Sequence, residues 1–168
     1  MQIHIPTVYL FVGLLFLLLP SVVWIVLSGQ RSSTVVNWCL GGVLVGAGLF
    51  LFGFRSVLPA WATYSMGNYA MWIGNMLVIF VLAQMLSYQP RARWFVFAFV
   101  GSALVFEFFR IGLESAFLRF LWATIMMVVL MSALGFLSSR LGQVEGVHSA
   151  HWLALTYWGC VLLLLGRI

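Results

Sequence analysis

Six long apolar runs separated by short polar breaks constrain this chain more than any other feature of its sequence. A helix crosses the hydrocarbon core of a bilayer with about 20 mostly apolar residues, and it does so because it satisfies its own backbone polar groups. The runs cover residues 7–28, 35–54, 62–88, 94–110, 116–137 and 150–165, and each is read as a membrane span. Of the 168 residues, 64% are apolar and 7% charged. A soluble domain carries about a quarter charged residues, so lipid must be the solvent for most of this surface. The expected fold is all-α: a polytopic bundle of six transmembrane helices forming a single domain over residues 1–168. Short connections make neighbouring helices antiparallel. The first run is too long for a signal-peptide core, follows no basic residue and precedes no small-x-small site, so it is read as a span in which Pro20 marks a kink. The polar stretch 138–149 is expected to be the longest connection.

The eight basic residues are all Arg, and the three acids are Glu107, Glu114 and Glu145. The net charge of +5 is spread over the connections, with no basic run longer than Arg91-Ala92-Arg93. That distribution argues against nucleic acid as a partner. It fits arginines that set topology and meet anionic membrane lipids. Arg31, Arg91, Arg93 and Arg140 lie towards one side, and Arg55, Arg110, Arg119 and Arg167 towards the other. The count is a tie. It is broken by the amino-terminal tail, which holds no Arg or Lys, and by Glu114, which Arg110 and Arg119 bracket and are read as pairing with. The amino terminus is therefore expected outside, and six spans return Ile168 to the same side.

Three groups of polar residues stand out against the apolar background. Asn68, Trp72 and Asn75 are spaced four and three apart, on one face of the third helix. Such a face should point into the bundle, either as a polar cavity that binds a ligand or as interhelical hydrogen bonding. Glu107, Arg110 and Glu114, spaced three and four apart near a helix end, are expected to form an ion-pair triad. This is either a ligand-binding centre or an interfacial salt bridge with Arg110 reaching the headgroups. Glu145, His148 and His151 recur every three residues, and carboxylate with imidazole is metal-ligand chemistry. The trio is short of a full ligand set, and interfacial histidines are the plainer reading. Gly42 and Gly46 form a GxxxG element for close helix approach. Met126, Met127 and Met131 are read as packing residues, as are Cys39 and Cys160. The chain holds no Ser-His-Asp set, HExxH or phosphate loop, so no enzyme activity and no cofactor are assigned to it.

The first half of the chain resembles a known family. The residues that carry the likeness are His4-Ile5-Pro6-Thr7, Asn37-Trp38-Cys39-Leu40-Gly41, Gly48, Phe54-Arg55, Leu58-Pro59-Ala60-Trp61, Met66-Gly67-Asn68 and Gly74, with Arg167 near the end of the sixth run. Their order resembles the amino-terminal membrane sensor region of bacterial GGDEF proteins, the diguanylate cyclases. The resemblance implies a multi-pass inner-membrane sensor binding a small or lipid-like ligand. It implies a homodimer formed through a cytoplasmic effector that makes cyclic di-GMP, and a seventh helix after Ile168. This chain contains no Asp and hence no GGDEF motif, so cyclase activity could belong only to a longer protein. A small transporter or channel subunit, or a metal- or haem-binding redox subunit, are the alternative readings.

Overall fold

The computed structural model is all-α, with six membrane-length helices and no strand among the described residues. It describes residues 5–27, 29, 32–146 and 148–166. His4, Arg31, Arg167 and Ile168, on which parts of the resemblance and of the orientation argument rest, lie outside them. The helices are α1 (Ile5–Val26), α2 (Ser33–Gly53), α3 (a π-helical first segment Trp61–Met66, then Gly67–Met85), α4 (Ala92–Glu107, ending in a π-helical segment Phe108–Gly112), α5 (Ala116–Glu145) and α6 (His148–Leu165). Ser32 caps α2 through its hydroxyl on the Val35 N–H, and Ser115 does the same for α5 on Leu118.

The longest expected connection is mostly helix. α5 runs on through the polar stretch to Glu145, and α6 begins at His148. Its 30 residues make a rod of about 45 Å at 1.5 Å per residue, longer than a hydrocarbon core of about 30 Å. Once a helix has left the lipid, polarity is no reason to stop. Arg140, Leu141, Gln143 and Glu145 are all good helix formers. Ser138, Leu141 and Gly142 are buried there, so packing also holds the extension in place. What ends α5 is Gly146, in the left-handed conformation at φ 67°.

Contacts divide the chain into two compact units, Met1–Val78 and Ile79–Ile168, with the boundary inside α3. In the first unit α2 packs antiparallel against α1 on one face and α3 on another. The GxxxG pair serves α1: Pro20 sits over Gly42, and Gly46 meets the backbone of Phe16 and Leu17. Gly13 and Gly53 extend the same seam, against Phe50 and Leu10. Towards α3 the contact is backbone to backbone. Gly41 faces Gly74 and Gly48 faces Gly67, each pair one heptad from the next. A methyl on Gly48 would stand 2.6 Å from the carbonyl oxygen of Gly67. Only glycine permits that approach.

In the second unit α4 and α5 are joined through Ser102. Its carbonyl accepts the Trp122 indole N–H at 3.1 Å, and its hydroxyl donates to the Met126 thioether at 3.1 Å. Phe109 meets Trp122 edge to face at 6.3 Å. α5 and α6 interlock through the reverse of a glycine seam: the Trp158 ring covers Gly135, and the His151 ring covers Gly142 one heptad on. Cys39 is buried and Cys160 half-buried, both as free thiols.

Candidate functional site

The third helix carries the most deeply buried polar face. Trp72 is 0% exposed and Asn75 4%, while Asn68 is half-buried. This face is distinct from the glycine face, Gly67 and Gly74, that α2 covers. Asn75 lies near the middle of the Trp61–Met85 span, where an amide without a partner is costly. Both asparagines bond to their own helix: the Asn68 side-chain N–H donates to Tyr64 O at 2.7 Å, and that of Asn75 to Met71 O at 2.8 Å. Both amide nitrogens therefore donate within α3 rather than to a neighbouring helix.

Two hydroxyls join this region that the sequence reading passed over. Thr63 and Ser65, 1% and 4% exposed, lie on the π-helical first segment of α3. The Thr63 hydroxyl bonds to Ala60 O at 3.2 Å and more weakly to Pro59 O at 3.4 Å. The Ser65 hydroxyl is buried with no hydrogen-bond partner among the described residues. In the sequence they stand as a Thr and a Ser between Pro59 and Asn68. A 3.6-residue period drawn back from Trp72 brings Ser65, one heptad earlier, onto the same face, whereas Thr63 falls on the opposite side. Trp61, Tyr64 and Met66 of the same segment are exposed, so it alternates sharply between an outward apolar side and a buried polar one.

Of the expected charged triad, two members come together. Arg110 Nε donates to Glu107 Oε2, and the two side chains remain about a quarter exposed, at 26% and 27%. Glu114 is outside this arrangement. The last segment of α4 is π-helical, closed by Leu113 N–H on Phe108 O and Ser115 N–H on Phe109 O. The chain then turns, with Glu114 exposed at φ 47°. The spacing of three and four assumed an α-helix running through residue 114, and the helix ends before it.

The acid and the two histidines are likewise separated. Glu145 ends α5, whereas His148 and His151 begin α6 beyond the Gly146 turn. A run of three on one helical face is thus split over two helices, and His151 is turned onto Gly142. Among the described residues no group of three His, Cys, Asp or Glu side chains is placed to hold a metal ion.

Compared with protein-family models, with curated proteins and with solved structures, the chain gives no match in any of the three.

Proposed function

We propose that this chain is a membrane signal-input module that binds a small or lipid-like ligand at the polar face of α3 and controls a cytoplasmic diguanylate cyclase. The observation that carries the reading is the burial of Ser65, Trp72 and Asn75 along one uncharged membrane helix. Polar groups at that depth are retained against a desolvation cost, which makes them functional candidates. The glycine seam beside them supplies a mechanism. Gly41 and Gly48 bring α2 close to the Gly74 and Gly67 backbone of α3, with Val78, Met71, Val45 and Phe52 packed over the glycines, so a small shift of α3 along α2 would repack the whole seam. A ligand that favours one such packing shifts the population towards it. The module is assigned to a bacterial inner membrane with a periplasmic amino terminus, and dimerisation to the effector. The likeness to GGDEF sensor regions supports the output, and several of its residues (Gly41, Gly48, Gly67 and Gly74) form this seam.

The test is cyclic di-GMP measured in cells expressing the complete reading frame, wild type beside Asn75→Leu, at equal abundance in the membrane. A change of several-fold is expected. An unchanged level, or a reading frame without a GGDEF domain, overturns the assignment to that output. Reporter fusions near the amino terminus that are active in the cytoplasm would overturn the orientation.

A further inference from the structure

The buried hydroxyl of Ser65 narrows the ligand class. This deepens, and rests on, the reading of α3 as a binding face. Ser65 is 4% exposed, and its Oγ has no hydrogen-bond partner among the described residues. Its neighbour Thr63 is different, because that hydroxyl is satisfied by the Ala60 carbonyl. A serine in a membrane helix ordinarily returns its proton to the carbonyl four residues back, as Ser21 does to Leu17 O at 2.7 Å and Ser139 to Gly135 O at 2.8 Å. The Ser65 hydroxyl makes no such bond, and its donor remains available. Charge limits what it can meet. α1, α2 and α3 contain no Arg, Lys, His, Asp or Glu, and Arg55 of the same unit is exposed in the connection. An ionic head placed at Ser65 would find no countercharge on these helices, and desolvating it there would be prohibitive. A neutral acceptor on an apolar tail meets both conditions. We infer that Ser65 donates a hydrogen bond to the carbonyl of an uncharged amphiphile, either a quinone or a neutral acyl ester, that reaches the π-helical segment of α3 from the bilayer.

The test uses the full chain purified in dodecyl maltoside, a detergent without a carbonyl group. Decylubiquinone and dioctanoylglycerol are the carbonyl probes, with dodecyl phosphate and dodecane as controls. Probe retained through gel filtration and the thermal midpoint are both read. One carbonyl probe should be retained and raise the midpoint, and which of the two does so identifies the source. Ser65→Ala should weaken its retention at least tenfold, and Ser65→Cys, a weaker donor, should fall between. Equal retention of dodecane, or preference for the phosphate, overturns the inference. So does Ser65→Ala with unchanged probe retention, in which case the hydroxyl serves at most a water molecule. In that event a loss of retention in Asn75→Leu would leave the α3 reading standing, whereas unchanged retention there would remove it as well.

Discussion

Gly41 and Gly74 meet backbone to backbone across the α2–α3 seam. A methyl on Gly74 would lie 2.6 Å from the Gly41 carbonyl oxygen, and one on Gly41 would lie 2.8 Å from that of Gly74. Neither obstacle is a flexible side chain, so the helices themselves must separate. Gly74→Ala is therefore expected to destabilise the protein by about 1–3 kcal/mol, the range for overpacking. Gly159→Ala is the control. Nothing lies within 4 Å of the position its methyl would take, and the change should stay within about 0.5 kcal/mol. Thermal unfolding in micelles compares the two, and equal midpoints would show that the seam can widen at no cost.

The turn between α5 and α6 depends on one backbone angle. Gly146 has open space around it but a φ of 67°. Gly146→Ala should cost about 1 kcal/mol through conformation alone. Gly146→Asn should cost less, since asparagine tolerates the left-handed region. Measured unfolding midpoints in the order Gly, Asn, Ala are the expected result; an alanine variant equal to wild type would place the stop signal elsewhere.

Glu107 and Arg110 are partly shielded and joined directly. Taking away Arg110 leaves Glu107 without this partner in a setting that includes the buried Phe106. Arg110→Gln alone should accordingly destabilise more than the double change Glu107→Gln with Arg110→Gln. A double-mutant cycle should give a coupling of about 1 kcal/mol, above a fully exposed pair and below a fully buried one. Glu114→Gln should be silent in the same assay, since the residue is exposed beyond the helix end. Simple additivity of the Glu107 and Arg110 changes would mean that their contact contributes nothing measurable.

Asn68 and Asn75 make the same kind of bond but differ in burial. Asn75→Leu puts a larger, branched side chain into a 4% exposed site and discards the bond to Met71 O. A loss of about 1–3 kcal/mol is expected. Asn68→Leu, at a half-buried position, should cost less than half as much. Ile73→Leu, also half-buried, serves as the apolar comparison and should stay within about 1 kcal/mol. Unfolding in micelles orders the three, and an Asn68 variant as damaged as the Asn75 variant would contradict the burial seen here.

The number and type of the spans were legible in the sequence because hydrocarbon accepts so few structures. An apolar run of membrane length must be a helix, whatever it packs against. The alignment of Trp72 and Asn75 was legible for the same reason, since an α-helical period holds through that part of α3. Three features were decided only by the tertiary structure. The stretch 138–149 reads as a loop by polarity, yet packing on α6 carries α5 through it until Gly146 turns left-handed. Glu114 reads as the third charge of a triad, yet the π-helical segment at the end of α4 breaks the period on which that alignment depended. Ser65 reads as an ordinary membrane serine, yet the folded chain buries its hydroxyl and gives it no partner among the described residues. Periodicity along a sequence assumes one helical pitch. Where the pitch changes, which side chains share a face is decided by the hydrogen bonds and packing of the folded chain.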